Sequence, residues 1–135
     1  MKRHVLILGA GFAGLELATR LSETLQDAVR VTLLDRNDSF VFGYSKLEVM
    51  LGRQSADEVA LPYRDFDKGG VEFRQETVRA IDPGERRVTT DVGFYDADFL
   101  VVAMGADYDI DATPGFEAGG FGTTQSPVPS GCATR

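Results

Sequence analysis

The segment VLILGAGFAG, residues 5–14, decides the fold because three glycines follow a continuous apolar run at a fixed spacing. The run at 5–8 predicts a strand that is buried on both faces of a parallel sheet. The G-x-G-x-x-G pattern at 9–14 predicts a tight turn into a helix, with a backbone open enough at the second glycine to meet a pyrophosphate. Because glycine fills 15 of the 135 positions, the pattern alone is weak and its context has to support it.

The residues after the glycines predict a helix that packs closely on the first strand. Positions 14, 17, 18, 21 and 25 carry Gly, Leu, Ala, Leu and Leu, which share one helical face. A second apolar run follows at 31–34. A right-handed β-α-β crossover then places the second strand parallel to the first and next to it.

An acidic residue, Asp35, follows the second strand and lies 21 residues after Gly14. This is near the spacing of about 20 residues at which an acid accepts hydrogen bonds from a ribose hydroxyl. The carboxylate disfavours a nucleotide with a 2′-phosphate, whereas the adjacent Arg36 leaves that alternative open. The alternative to a nucleotide site is a turn that binds no phosphate, with Asp35 at the surface.

The apolar pattern of the remaining chain predicts an α/β fold with a Rossmann-like parallel sheet and a small β-hairpin. A run at 99–103 predicts a third strand of the same buried kind, which returns to the sheet. Residues 71–75 alternate like a half-exposed strand, and residues 87–95 predict the hairpin.

Two short helices are expected in the less regular stretch from 36 to 70. Two Ser–Glu pairs, Ser45 with Glu48 and Ser55 with Glu58, have the spacing of a capping box. We expect one helix over 46–51 that stops at a glycine, and a second around 62–68.

The composition excludes several classes of function. A net charge of −7 without a basic cluster makes nucleic acid an unexpected partner. The single cysteine, Cys132, excludes an internal disulfide and an all-cysteine zinc cluster, and its rarity suits a cytoplasmic protein. No stretch reaches the roughly 18 apolar residues of a membrane span. The basic start before the first apolar run resembles an export signal, but Glu16 and Arg20 interrupt that pattern. His4, the only histidine, precedes the first predicted strand, and we expect no metal site there and a surface position.

A change in composition suggests a boundary near residue 112. The stretch from 113 to 135 has three prolines, five glycines, two charged side chains and no periodicity. We therefore expect a nucleotide-binding segment over 1–111 and a linker or irregular tail over 112–135.

At this point the sequence resembles the FAD-dependent pyridine nucleotide-disulfide oxidoreductase superfamily, in the branch of type II NADH dehydrogenases and sulfide:quinone oxidoreductases. The resemblance covers about residues 3–111 and rests on four segments, at 5–14, 31–37, 76–82 and 99–105. It implies FAD as the cofactor. The residues that it assigns to cofactor binding are Gly9, Gly11, Phe12, Ala13 and Gly14 for the pyrophosphate, Asp35 with Arg36 for the ribose, Val78 for the adenine, and Ala103 with Gly105 on the return strand.

Two departures from the family pattern limit the cofactor contacts and the reactions expected of this chain. The second family fingerprint ends in Ala-Thr-Gly, but here Met104 replaces the threonine and removes its hydroxyl. The stretch 42–50 contains no cysteine, which excludes the dithiol relay of disulfide-reducing members. We expect Cys132 to be an incidental thiol rather than a sulfide-handling one, and the resemblance places the loop 42–46 toward the flavin ring.

The resemblance implies the N-terminal FAD-binding part of an oxidoreductase that passes electrons from NADH, or from sulfide, to a quinone. The NAD(P)H-binding domain of the family is missing, so we expect no NADH oxidation by this chain alone, and no catalytic acid or base can be named. NAD(P)H, quinone and peripheral membrane association belong to a full-length relative. The chain would then be a truncated gene product, a partial chain or one with a shifted reading frame.

Two alternatives remain open. One is a non-catalytic module that binds a dinucleotide or ADP and docks on a partner subunit or a second copy of itself. The other is a fragment of an NAD-dependent dehydrogenase, which the second fingerprint argues against.

Overall fold

The computed structural model describes residues 2–106, 109 and 112–115. Two short 3₁₀ turns, Gln26–Ala28 and Tyr63–Asp65, accompany the helices and strands. In chain order the elements are β1 (Arg3–Leu8), α1 (Phe12–Leu25), β2 (Val29–Asp35), β3 (Ser39–Val41), α2 (Gly43–Met50), α3 (Ala56–Val59), β4 (Ala60–Pro62), β5 (Val71–Gln75), β6 (Val78–Asp82), β7 (Arg87–Thr90), β8 (Phe94–Asp96) and β9 (Phe99–Val102).

A four-stranded parallel sheet forms the centre of the fold, in the order β5-β2-β1-β9. This confirms the predicted β-α-β unit, since β1 and β2 are adjacent and parallel and α1 connects them. Leu8 pairs with Leu34 of β2 on one side and with Val102 of β9 on the other. The three strands therefore end at nearly the same level, which positions the residues that follow them side by side.

Both faces of β1 and β2 are buried, as the continuous apolar runs predict. On one face, Val5, Ile7 and Leu33 pack with Ala18 of α1. The other face is covered by β6, β7 and β8, which form a three-stranded antiparallel sheet. The side chains buried there are Leu6, Leu8, Leu34 and Val88. The helix and the small sheet thus enclose the central strands from opposite sides.

The third apolar run is less buried than predicted. In β9, Phe99 and Val102 are 57% and 61% exposed, although Val101 and Leu100 are half-buried. Within the described part of the chain, β9 lies at the edge of the sheet and has a strand neighbour only on its β1 side. An edge strand leaves its outer side uncovered, so an apolar run alone overestimated its burial.

The predicted hairpin at 87–95 is confirmed by β7 and β8, but it gains a third strand that the sequence pattern did not reveal. Val78–Asp82 forms β6, which pairs with β7 and carries a register shift between Val78 and Ala80. Its exposed positions do not alternate regularly, because a bulge interrupts the period of two.

Of the two helices predicted in the middle stretch, the structure contains the first but not the second. The first exists but begins earlier, as α2, so that Ser45 lies inside its first turn and the cap position is taken by Phe42. The helix predicted around 62–68 is wrong. That segment holds only the 3₁₀ turn Tyr63–Asp65, because Tyr63 is drawn into the core and its backbone N–H donates to the carbonyl of Asp38.

The capping box at Ser55 is confirmed. The Ser55 hydroxyl accepts a hydrogen bond from the N–H of Glu58, whose carboxylate accepts one from the N–H of Ser55 at 2.7 Å. Both bonds satisfy backbone donors of the first turn of α3 that the helix itself cannot satisfy.

Replacing Ser55 by alanine should therefore lower the free energy of unfolding by about 1 kcal/mol, the usual cost of losing an N-cap. Ser45→Ala is the matched control, because Ser45 does not cap α2 and alanine suits a helix interior. Urea denaturation of both variants measures the difference. An equal loss in the two variants would contradict the assignment of the cap.

The surface position predicted for His4 is wrong. His4 lies within β1 and is 9% exposed rather than at the surface. Its ring nitrogens Nδ1 and Nε2 are each 2.9 Å from an oxygen, the carbonyl of Asp96 and the hydroxyl of Thr32. A polar ring can be buried here because both nitrogens have partners.

The chain divides into two compact units. The first, residues 1–40 and 62–105, contains both the parallel sheet and the small antiparallel sheet. The second joins residues 41–61 to the region after Gly105, and its α2 and α3 contact each other. None of the helices described is both long and apolar enough to cross a membrane. Cys132 lies outside the described residues.

Candidate functional site

The carboxyl ends of β1, β2 and β9 bring three predicted site segments together. The residues that directly follow these strands, or end them, are Gly9, Asp35 and Ala103. Ligands of open α/β sheets bind outside the carboxyl ends of the strands. We therefore take the carboxyl ends of these three strands as the candidate site.

Gly9 is fixed by packing against the second fingerprint. Its φ is +97°, and its N–H donates to the carbonyl of Leu34 at 2.7 Å. A Cβ at this position would overlap the carbonyl oxygen of Ala103 and lie 2.9 Å from the Cα of Met104. The N–H of Ala103 in turn donates to the carbonyl of Leu8 at 2.8 Å. The two glycine-containing fingerprints are thus in direct contact.

Gly14 allows α1 to approach the turn. It is buried, and a Cβ there would overlap the carbonyl oxygen of Gly9 and meet the Leu33 side chain at 3.4 Å. One turn further along the helix, Ala18 is fully buried on the same face. The pair of small residues explains why the helix N-terminus lies so close to the end of β1.

Gly11 is the exception among the three glycines of the motif, because the protein itself does not require it. Its φ of −76° and ψ of −164° suit any residue, and a Cβ would meet no atom within 4 Å. Gly11 is the N-cap of α1, gives it no side-chain cap, and no acidic residue lies in the first turn. The adjacent Phe12 and Ala13 are exposed. An anion can therefore approach a positively polarised helix end without meeting a side chain at position 11.

The donor set at this end of α1 fits a pyrophosphate. Backbone amides at a helix N-terminus bind phosphate oxygens, and the helix dipole favours their negative charge. The missing side chain at Gly11 leaves the close approach that such a group needs. Within the described residues, no cluster of His, Cys, Asp or Glu could hold a metal ion.

Asp35 has a structural role that sequence reasoning missed. Its Oδ2 accepts a hydrogen bond from the N–H of Ala10 at 2.7 Å, and its Oδ1 accepts two bonds, each of 2.9 Å, from the N–H and side-chain amide of Asn37. The carboxylate can accept about four bonds, so it retains capacity for a ribose hydroxyl. Arg36 is exposed, and its carbonyl accepts from the Gln75 side chain at 3.3 Å.

Tyr63 is a second residue whose role no sequence pattern indicated. Its side chain is 5% exposed, its ring lies 4.6 Å from that of Phe73, and its hydroxyl donates to the carbonyl of Ala10 at 2.7 Å. Burial raises the pKa of Tyr63 well above its ordinary value, and the charge of Asp35 adds to the effect. The contact spans 53 positions of the chain, so no local pattern could have predicted it.

Val78 begins β6 and packs against the buried cluster that contains Leu34 of β2. The N–H of Glu76 donates to the carbonyl of Asp35 at 2.9 Å, which joins the segment before Val78 to the candidate site. Thr77 is held by Asp91, since the Thr77 N–H donates to Asp91 Oδ1 at 2.8 Å and thereby lowers the pKa of that carboxyl. The structure thus brings the segment that carries Val78 to the carboxyl end of β2, where Asp35 lies.

Glu76 anchors this arrangement from within the protein. Its buried carboxylate accepts hydrogen bonds of 2.6 Å from the hydroxyls of Thr90 and Tyr95. Burial, together with the bond to Glu76, raises the pKa of Tyr95 to about 12. Neither hydroxyl donor was predictable from spacing, because both lie on the small antiparallel sheet.

Gly105 has a φ of +75°, which favours glycine, and a Cβ there would meet no atom within 4 Å. It follows Ala103 at the end of the return strand. The segment 42–46, predicted as a loop, is instead the start of α2 and belongs to the other compact unit.

The chain matches one family model and several curated relatives. The family model for pyridine nucleotide-disulphide oxidoreductases matches residues 3–128. A type II NADH:quinone oxidoreductase of Staphylococcus epidermidis is 37% identical over 106 residues, which cover 77% of this chain and 26% of the relative. The chain thus spans about a quarter of the length of the curated relatives it matches.

Solved structures show the same similarity. The sulfide:quinone oxidoreductase of Aquifex aeolicus matches with a TM-score of 0.65 and 27% identity, over 78% of this chain and 25% of the other. The Plasmodium falciparum NDH2 structure in complex with NADH matches with a TM-score of 0.72 and 17% identity, over 87% and 25%. The second match shows similarity of fold.

Proposed function

Because the chain belongs to the pyridine nucleotide-disulphide oxidoreductase family, we propose that it forms the FAD-binding part of a flavoprotein that passes electrons from NADH to a quinone. The family is FAD-binding. The relatives with 34–37% identity are NADH:quinone oxidoreductases, which makes NADH the preferred donor over sulfide.

The observation that carries the proposal is the open N-terminus of α1 beside the carboxyl ends of three parallel strands. Gly9 and Gly14 are required by the protein's own packing, whereas Gly11 is not. A glycine that the packing of the protein does not require, at the N-cap of an open and uncapped helix end, supports the approach of an external anion.

The chain's own residues would hold the cofactor as follows. The backbone at Gly11, Phe12 and Ala13 binds the pyrophosphate, and Asp35, flanked by Arg36, accepts from a ribose hydroxyl. The main chain at Val78 meets the adenine, and Ala103 and Gly105 line the return strand. When bound, FAD supplies the reversible acceptance of a hydride or of electrons. These protein groups bind and orient, and none of them is assigned a proton transfer.

We propose residues 1–111 as one nucleotide-binding segment, followed by a linker or tail over 112–135, in a cytoplasmic protein. The described part of the chain leaves several large apolar side chains of the first compact unit exposed, among them Phe94, Phe99 and Val102. A further part of a full-length relative, a partner subunit or a second copy would cover such a surface.

The test of the proposal is a titration of the purified protein with FAD, FMN and ADP. Calorimetry monitors the binding of all three, and flavin absorbance monitors the binding of FAD and FMN. We expect FAD to bind and ADP to compete with it, whereas FMN, which lacks the AMP half of FAD and so the adenosine and the pyrophosphate, does not bind. A protein that binds neither FAD nor ADP would overturn the proposal.

A second candidate function is a non-catalytic module for ADP or a dinucleotide. It is favoured by one observation: the groups that the structure brings together suit the pyrophosphate, ribose and adenine, all of which ADP also has. Colour separates the two candidates. Yellow protein that releases FAD on denaturation supports the flavoprotein, whereas colourless protein that binds ADP and NAD as well as FAD supports the module.

Asp35→Ala should weaken FAD binding about 10- to 100-fold, because hydrogen bonds to a charged group contribute about 1.5–3 kcal/mol. It should also lower stability, since the N–H of Ala10 loses its acceptor. Asp38→Ala is the matched control, a nearby exposed acid whose carboxylate accepts only from the Ser39 hydroxyl among the bonds described. Isothermal titration of both variants measures the effect, and unchanged affinity in Asp35→Ala would remove Asp35 from the site.

A further inference from the structure

We propose that Tyr63 is a positioning residue that fixes the direction of the Gly11 N–H in the phosphate-binding turn. This inference rests on the proposed function for its ligand, but its structural part can be tested on the protein without ligand. Tyr63 lies outside the glycine motif, on the 3₁₀ turn between β4 and β5.

Side chains hold both peptide groups around Ala10. The N–H of Ala10 donates to Asp35 Oδ2 and its carbonyl accepts from the Tyr63 hydroxyl, both at 2.7 Å. Ala10 itself is fully buried. Two side chains from distant parts of the chain thus hold two successive peptide planes of the turn.

The planarity of the peptide bond carries the constraint to Gly11. The carbonyl of Ala10 and the N–H of Gly11 belong to one trans peptide unit, in which they point in opposite directions. The Tyr63 hydroxyl binds that carbonyl on the buried side. The Gly11 N–H must therefore point away from Tyr63, which is the direction from which a phosphate oxygen would be bound.

A glycine needs such a constraint more than other residues do. Gly11 has no Cβ to restrict φ, so rotation of the peptide unit between Ala10 and Gly11 costs little in the backbone itself. Rotation would break the bond from Tyr63 and leave a buried carbonyl without its donor, which is costly. The tyrosine therefore supplies the rigidity that the glycine lacks.

Tyr63 is suited to be a permanent donor. Its ring packs against Phe73, and its backbone N–H donates to the carbonyl of Asp38, so both its ring and its main chain are held. Burial and the nearby charge of Asp35 raise its pKa, which keeps the hydroxyl protonated. A phenylalanine would keep the packing and lose only the hydrogen bond.

The experiment compares Tyr63→Phe with Thr32→Val, which also loses one buried hydroxyl hydrogen bond, the one to His4 Nε2, within the same compact unit. Titration with FAD and with ADP should show about a 10-fold loss of affinity in Tyr63→Phe and less than a 2-fold loss in Thr32→Val. In the ligand-free proteins, NMR relaxation dispersion should show new microsecond-to-millisecond exchange at the Ala10 and Gly11 amides only in Tyr63→Phe.

Unchanged Ala10 and Gly11 signals in Tyr63→Phe would overturn the inference, as would FAD affinity equal to that of the wild type. An equal loss of affinity in both variants would reduce Tyr63 to a general contribution to stability. If the wild type binds neither FAD nor ADP, the proposed function fails, and the relaxation measurement still decides whether Tyr63 fixes the peptide.

Discussion

Gly11→Val is expected to reduce FAD affinity at least 100-fold while the protein remains folded. The valine fits the protein, because the backbone angles are extended and a Cβ meets no atom within 4 Å. The same side chain would occupy the space through which a pyrophosphate reaches the helix N-terminus. A 100-fold loss corresponds to about 2.7 kcal/mol, roughly one or two hydrogen bonds to a charged group.

The matched control is Gly69→Val. Gly69 also has open space around it. It lies far from the candidate site, because the carbonyl of the next residue, Gly70, accepts from the N–H of Val31 near the start of β2, at the opposite end of the strands. Calorimetric titration with FAD and urea denaturation should be measured on both variants. We expect about 1 kcal/mol of lost stability in Gly11→Val, since valine is a poor N-cap. Wild-type FAD affinity in Gly11→Val would show that no phosphate lies against Gly11.

Gly14→Ala is expected to have the largest effect on stability. The added Cβ would overlap the backbone oxygen of Gly9, which is itself held by a hydrogen bond from its N–H to the carbonyl of Leu34. Neither backbone can move without separating α1 from the sheet. Overpacking of this kind costs about 1–3 kcal/mol, and we expect the upper end of that range, out of roughly 5–15 kcal/mol for a whole domain.

Gly43→Ala provides the control for the same chemical change in a helix. Gly43 starts α2, and a Cβ there meets no atom within 4 Å, so alanine should be neutral or slightly stabilising. Thermal and urea denaturation of the two variants should therefore shift in opposite directions or by clearly different amounts. Equal stability of Gly14→Ala and the wild type would mean that α1 does not pack against the turn as described.

The parts of the fold that the sequence predicted are those governed by short-range periodicity. The strands β1 and β2 and the helix between them follow from two apolar runs and one helical face, and the structure confirms them. The predictions that β9 is buried and that a second helix lies around 62–68 were wrong. Both depend on what lies next to a segment in space, which a local pattern does not contain.

The candidate site was likewise predictable only where a short-range spacing in the sequence defines it. The turn and Asp35 are recognisable because their spacing reflects the length of one β-α-β unit. Tyr63 and Glu76, which hold the turn and the segment before Val78, had no recognisable spacing. His4 shows the converse error, since a lone histidine looked like a surface residue until Thr32 and the Asp96 carbonyl provided its partners.

The sequence by itself determined the β-α-β unit, the glycine turn and the acid after β2, because each arises from neighbours within about 30 residues. Only the tertiary structure decided which glycine is required by packing and which is left open for a ligand. It also decided how the turn is held, since the Ala10 N–H donates to Asp35 and the Ala10 carbonyl accepts from Tyr63, across 25 and 53 positions of the chain. Such bonds form only after the apolar faces have brought distant segments together, so their physical cause lies in the packing of the core rather than in any local pattern.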